Sequence, residues 1–428
     1  MPPLDKTGKD KHTRGVYAGS FRGFMGIRPD APLANVTNHA TASPSSPDCV
    51  VRDRVAIFSS SLADAADGHA SARPFSPVSL DAGKRSNVRP SSPGQRIANN
   101  AETRTSAPSR PVVGRFAPTP SGRMHLGNVA SCLVAWLSAR SAGGRMVLRI
   151  EDLDPRAQSR EAARLIMDDL RWLGLDWDEG PYYQSERGEL YAAAIARLGD
   201  GPATGLHLTY PCFCTRSELH AASAPHASDG TYVYAGTCRG LSPEEVTRRS
   251  AVRPPATRLR VPDANDPTGA ICFRDLAYGP QREVLATECG DFLVRRSDGV
   301  VAYQLAVVVD DGEMGVTQVV RGHDLLGSCA RQIYLQRLLG YAEPAYGHVP
   351  LLVAPDGRRL SKREHDLDLG ALRERYAGPE PLLGAIASRL GLAEPGEPVS
   401  ADTLAARFSW DVVAAHRADI VVDESFLP

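Results

Sequence analysis

The sequence predicts an α/β protein built on a doubly wound parallel sheet, with a small inserted domain and a long N-terminal extension that does not fold with it. Three observations predict this. From Val112 onward, apolar runs of strand length alternate with helical periodicity. The stretch 205–290 breaks that rhythm, and residues 1–111 show no sustained period at all.

Taken in order, the extension comes first. Segments such as TASPSSP, SARPFSPVSLDAG and RPSSPGQRIANNAETRTSAPSRP are rich in Ser, Pro, Ala and Arg. They hold too little apolar surface to offset the entropy of ordering, so 1–111 reads as a disordered tail or as sequence upstream of the true start. An Arg- and Ser-rich targeting segment is the other reading, weakened by its acidic residues. PVVGRFAP then reads as a strand. Val129, Cys132, Leu133, Trp136 and Leu137 recur at helical spacing until Gly143-Gly144 stops them. MVLRIED is a buried strand ending in carboxylates, and Leu165, Ile166, Leu170 and Leu173 mark the next helix. This order argues a parallel, doubly wound sheet over 112–204, with ligands expected at the carboxyl ends of its strands. PCFCTRSEL and YAGTCRG lie in the insertion, 205–290. The α/β pattern resumes over 291–365. There FLVRR and VVAYQLAVVVDD read as strands joined by Ser297-Asp298-Gly299, VTQVV as another, RGHDLLGSCARQIYLQRLLG as a helix and HVPLLV as a last core strand. Residues 366–428 read as a short helical C-terminal region.

A chain of 428 residues with 42% hydrophobic and 23% charged residues is an ordinary globular composition, which excludes fibrous and wholly disordered classes. No run is long enough to span a membrane and the start lacks a secretory signal. Eight scattered cysteines make no disulfide framework, so a reducing cytoplasm is expected, with no membrane partner. The net charge of -1 divides into +6 over 1–110 and -7 over the rest. Local patches, not this total, set the field that a polyanion meets.

Two loops carry chemistry. In RFAPTPSGRMHLGN, Pro118 and Pro120 stiffen the backbone and Gly122 permits close approach. His125 and Asn128 stand at the start of a helix, where N–H groups and the dipole favour an anion. Alone, His125 reads equally as a capping or packing histidine. In RRLSKRE, Arg358, Arg359, Lys362 and Arg363 flank Ser361. By itself such a run is a solvated face or a nucleic-acid patch. Because it follows a core strand, however, both loops would lie at the ligand edge of one sheet and could hold a polyphosphate between them. In the insertion, Cys212-Phe-Cys214 and Tyr234-x3-Cys238 read either as packed thiols or as a metal site.

HLGN (125–128) and RLSKR (359–363) resemble the two nucleotide-binding signatures of class I aminoacyl-tRNA synthetases. RFAPTPSGRMHLGN, LRIEDLDP, YQLAVVVDD and VVRGHDLL resemble the glutamyl branch, and the likeness covers 112–375. The best fit within the branch is the group of truncated paralogues that glutamylate queuosine in tRNA(Asp). This resemblance implies a Rossmann-like catalytic domain that activates L-glutamate with ATP and Mg²⁺ to glutamyl adenylate. It implies phosphate contacts from His125 and Lys362, within an ATP site of Pro118, Gly122, His125, Gly127, Asn128, Arg359, Leu360, Ser361, Lys362 and Arg363. The first basic residue of the second signature, often Lys, is Arg359 here; it keeps its charge but not its geometry.

For glutamate the resemblance implies Arg115 on the side-chain carboxylate and Glu151 on the ammonium group. Phe116, Ala117, Pro118, Thr119, Tyr303 and Arg321 complete that site. It also implies one structural Zn²⁺ held by Cys212, Cys214, Tyr234 and Cys238. Only 65 residues follow Arg363, where a full glutamyl-tRNA synthetase carries a longer anticodon-binding region. The expectation is therefore a monomer that attaches glutamate to the queuosine at the wobble position of tRNA(Asp). Competing readings are a truncated synthetase charging tRNA(Glu), and an inactive paralogue that only binds glutamate, ATP or RNA. A small-molecule nucleotidyltransferase ligase would share the signature loops but would not need the Cys/Tyr insertion.

Overall fold

The computed structural model describes residues 110–199, 207–221, 233–358, 360 and 368–427. The extension expected over 1–111 therefore lies outside the described residues up to 109, as do Arg359, Ser361, Lys362 and Arg363. Among the described residues, no helix is long and apolar enough to cross a membrane.

The strands are β1 (Val113–Phe116), β2 (Arg145–Ile150), β3 (Glu179–Tyr183), β4 (Thr209–Cys212), β5 (Ala256–Leu259), β6 (Ala270–Asp275), β7 (Gly279–Val284), β8 (Phe292–Arg295), β9 (Gln318–Gly322), β10 (Ala345–Val349), β11 (Leu352–Val353) and β12 (Ile420–Val421). The helices are α1 (Leu126–Ser141), α2 (Arg160–Trp172), α3 (Gly188–Gly199), α4 (Arg216–Ala221), α5 (Pro243–Ser250), α6 (Tyr303–Glu313), α7 (Cys329–Leu339), α8 (Leu369–Arg375), α9 (Glu380–Arg389), α10 (Ala401–Arg407) and α11 (Trp410–Ala415).

β1, β2 and β3 pair in parallel, and so do β9, β10 and β6, with β7 returning antiparallel. The Thr317 N–H donates to Val113 O at 3.0 Å and the Val113 N–H to Thr317 Oγ1 at 2.8 Å, bringing β9 beside β1. The strand order becomes β3-β2-β1-β9-β10-β6-β7. Side chains alternate across it. Phe116, Met146, Leu148, Val320 and Val349 pack with α1, α2, α9 and α10. Val113, Val147, Val319 and Tyr346 pack with α3, α6 and α7. Helices on both faces of a largely parallel sheet are the doubly wound arrangement that the alternating pattern implies.

Several elements differ from the sequence reading. YQLAVVVDD is the helix α6, not a strand. A continuous apolar run carries no period, and burial of Leu305 through Asp311 requires that it be apolar on nearly every side. HVPLLV is divided at Pro350, which has no N–H for the ladder, into β10 and β11. FLVRR is β8, which pairs antiparallel with β5, and β5 with β4, in a separate small sheet. β6, although it falls within 205–290, joins β10 in the main sheet.

The C-terminal helices are keyed into this sheet. Trp410 Nε1–H donates to Ser138 Oγ at 2.8 Å, and its indole lies over the backbone of Gly347. A Cβ on Gly347 would stand 2.4 Å from the ring. Gly347→Ala is therefore expected to lower stability by about 1–3 kcal/mol through overpacking. Thermal or urea unfolding of the two proteins measures it.

Candidate active site

A cavity of about 590 Å³ opens at the carboxyl ends of β1, β2, β9 and β10. It gathers residues widely separated in sequence. Arg115, Phe116, Ala117, Pro118 and Thr119 come from β1 and its loop, Glu151 from the end of β2, Tyr303 from the first turn of α6, and Arg321 from β9. Gly122, His125, Gly127, Asn128 and Leu360 line the same space. Every described residue assigned from the sequence to the ATP or glutamate site is thus in one cavity. Lys362, two residues beyond Leu360, lies outside the described residues.

The signature loop is shaped for this position. Gly122 has φ +128°, which L side chains rarely adopt. His125 is the N-cap residue of α1, extended at φ -96° and ψ 165°, and its side chain makes no capping bond to the helix. An N-terminus without a side-chain cap leaves its amides for a ligand. The loop is tied down from behind. Arg123 pairs with buried Asp169 of α2, and the Asp169 carboxylate also accepts from the Met124 N–H at 3.2 Å. The Leu369 N–H donates to Met124 O at 2.9 Å, so α8 begins directly against the first signature.

Behind the cavity lies a buried network that sequence reasoning missed. Arg149, with no exposed surface, donates to Asp311 Oδ1 at 2.6 Å and to Glu151 Oε1 at 3.1 Å, and its Nε lies 3.7 Å from Asp310. Asp310 also accepts from Gln184 Nε2, Arg187 Nε and Tyr191 Oη at 2.6–3.0 Å. Arg115 Nη1 donates to Val320 O at 2.8 Å and its Nε lies 3.8 Å from Asp311. Burial works against the charge on Arg149, but Asp311, Glu151 and Asp310 together hold its pKa above the usual value. Burial pulls the pKa of Arg115 down; Asp311 opposes that shift, while Arg149 and Arg321 add to it. Burial likewise raises the Glu151 carboxyl, against the pull of Arg149.

Arg321 is held differently. Its Nε donates to His348 Nε2 at 3.1 Å, and its Nη2 to Leu325 O at 3.1 Å and to Cys329 Sγ at 3.2 Å. His348 is fully buried, and its Nδ1 lies 2.6 Å from Asp275 Oδ2. Burial lowers the His348 pKa, only partly offset by the hydrogen bond to Asp275.

A second cluster lies in the small sheet. Cys212, Cys214 and Cys238 have sulfurs within 4.8 Å of one another. Tyr234 Oη stands 3.6 Å from the sulfurs of Cys212 and Cys214, and Cys214 Sγ is 3.7 Å from Cys238 Sγ. A tetrahedral zinc with ordinary bond lengths would separate sulfur from sulfur by about 3.8 Å and sulfur from oxygen by about 3.5 Å. The separations of Tyr234 Oη from two of the sulfurs, and of Cys214 Sγ from Cys238 Sγ, are compatible with such a site. Arg258 donates to Cys212 Sγ at 3.2 Å, and its guanidinium lies 3.7 Å from the Tyr234 ring centre. Burial disfavours the Cys212 thiolate, but this cation brings its pKa below the usual thiol value.

Residues 111–420 match the family described as tRNA synthetases class I (E and Q), catalytic domain. A relative from Symbiobacterium thermophilum, named glutamyl-Q tRNA(Asp) synthetase, is 52% identical over 306 residues, covering 68% of this chain and 91% of that protein. Glutamate--tRNA ligase 2 of Alkalilimnicola ehrlichii is 41% identical over 339 residues, covering 72% and 69%. The structure of a glutamate tRNA ligase from Elizabethkingia meningosepticum, solved in complex with its amino acid, superposes with a TM-score of 0.61 at 27% identity, covering 74% of this chain and 68% of that one. The chain belongs to the catalytic-domain family of the class I tRNA synthetases for E and Q.

Proposed function

We propose that the protein activates L-glutamate with ATP to glutamyl adenylate and transfers the glutamyl group to queuosine at the wobble position of tRNA(Asp). The observation that carries this is the shared cavity. Two buried guanidinium groups and a carboxylate stand at the strand ends, beside a helix N-terminus without a side-chain cap. In this reading Arg115 takes the side-chain carboxylate of glutamate, Glu151 its ammonium group, and Tyr303 and Arg321 the remaining contacts. The α-carboxylate attacks the α-phosphorus of ATP and pyrophosphate leaves. His125, the N-terminus of α1 and Lys362 hold the phosphates, so catalysis rests on positioning and on stabilising charge. Mg²⁺ bound with ATP would add charge neutralisation there.

The acceptor is suggested by the relative named glutamyl-Q tRNA(Asp) synthetase, whose identity to this chain exceeds that of the glutamate--tRNA ligase. Charging of tRNA(Glu) is the second reading, favoured by that ligase. We take 112–204 and 291–365 as the two catalytic halves, 205–290 as the insertion, with β6 and β7 rejoining the main sheet and β8 the small one, and 366–428 as a short helical region. Cys212, Cys214, Tyr234 and Cys238 would hold one structural zinc. The same reading has the protein work as a cytoplasmic monomer.

ATP–pyrophosphate exchange should require glutamate and fall about a hundredfold or more in Lys362→Ala; undiminished exchange would remove Lys362 from the site. Radiolabelled glutamate should pass to queuosine-containing tRNA(Asp) and not to tRNA(Glu), and the reverse outcome would establish the second reading. Elemental analysis should find one zinc per chain, lost in Cys212→Ala/Cys214→Ala.

A further inference from the structure

The two buried arginines that line the amino-acid cavity, Arg115 and Arg321, differ in what holds them. Arg115 and Arg149 both face Asp311. Among the described residues no carboxylate lies within ion-pair distance of Arg321, whose three partners are an imidazole nitrogen, a carbonyl oxygen and a thiol. Its Nη1 is buried and has no hydrogen-bond partner, although the side chain is only 5% exposed and lines the cavity. A guanidinium nitrogen can only donate, so His348 Nε2 is the acceptor and the ring proton sits on Nδ1, pointing at Asp275. Asp275 is itself fixed. Its Oδ1 accepts from the N–H groups of Ala277 and Tyr278 at 3.0 and 2.9 Å.

We propose that His348 is a positioning residue for the amino-acid substrate: with its tautomer locked by Asp275, it holds Arg321 through a neutral acceptor and leaves the full guanidinium charge for a substrate carboxylate. This deepens the functional reading above and rests on it. A carboxylate in place of the imidazole would orient Arg321 equally well but would neutralise the charge that the substrate must meet. A neutral acceptor set one residue back from the carboxylate separates the two tasks. Asp275 fixes geometry from the far side of the ring, while Arg321 stays uncompensated on the cavity side. The arrangement also explains why β6, arriving from the insertion, re-enters the main sheet beside β10. It carries Asp275 to within 2.6 Å of Nδ1 of His348.

Two variants of the full chain separate orientation from mere packing. His348→Gln places an amide oxygen near the position of Nε2 and can still accept from Arg321 while losing Asp275. His348→Asn places its amide near Nδ1, keeping Asp275 and leaving Arg321 Nε without an acceptor. Both remove the ring, so both perturb the core comparably, and thermal midpoints report that shared loss. In glutamate-dependent ATP–pyrophosphate exchange, His348→Asn should raise the glutamate KM about tenfold or more, as expected for a stranded buried donor. Its KM for MgATP and its kcat should stay within about threefold, because binding alone is affected. His348→Gln should keep the glutamate KM within about threefold of the unaltered protein. Equal glutamate KM values in the two variants, raised or unchanged, would overturn the relay while leaving the activity in place. Exchange independent of glutamate in the unaltered protein would instead overturn the functional reading, and the relay's purpose with it.

Discussion

A guanidinium with no exposed surface is tolerable only where carboxylates surround it, and Arg149 is the point on which this site is built. It stands on β2 and is held by Asp310 and Asp311 from α6 and by Glu151 two residues along its own strand. Each partner has a second duty. Asp311 faces Arg115 on β1, Asp310 gathers Gln184, Arg187 and Tyr191, and Glu151 lines the cavity. One buried cation therefore fixes the distance between β1, β2, α3 and α6. Removing Asp311 would leave Arg115 without its ion-pair carboxylate in the interior, which costs about 3–5 kcal/mol, far more than an exposed pair is worth.

The cavity then has two ends with different electrostatics. At the α1 end the donors are backbone amides, backed by Arg123 on Asp169, which suits an anion with many oxygens and no fixed orientation. At the strand end the donors are two buried guanidinium groups with defined directions, which suits a planar carboxylate. A polyphosphate and an amino acid would thus be sorted by the kind of donor each end offers, with no residue needing to choose between them.

Part of this was legible in the sequence. The signature loop, the carboxylate in RIED and the Cys-x-Cys pattern are short strings to which the family resemblance, rather than their own chemistry, assigned roles, and the structure brings the first two into one cavity. β1, α1, β2 and α2 also followed their periodicity. What escaped depends on contacts with no local trace. The partners of Arg149 lie up to 162 residues away, and Asp275 and His348 are 73 apart. Reading VVAYQLAVVVDD as a strand hid Asp310 and Asp311, because as the end of a strand they look like surface punctuation. On a helix packed against the sheet they are buried charges that must be answered. The change of texture near 205 likewise marked where the chain leaves the main sheet but carried no sign that β6 returns to it.

That return ties the insertion to the cavity. β4, β5 and β8 form their own sheet beside the cysteine cluster, but β6 and β7 extend the main one, so the chain between Cys238 and Phe292 passes from the cysteine cluster to the main sheet beside β10 and back. Asp291 fastens the second crossing, accepting from Tyr210 Oη at 2.6 Å and from the Val261 N–H at 2.8 Å. Displacing the small sheet would pull on β6 and on Asp275 at its end, and so on the ring that orients Arg321. The small sheet is therefore joined to Arg321 by a covalent and hydrogen-bonded route through Asp275 and His348. The route ends in two charge-assisted hydrogen bonds, from the His348 ring to the Asp275 carboxylate and from the Arg321 guanidinium to the ring.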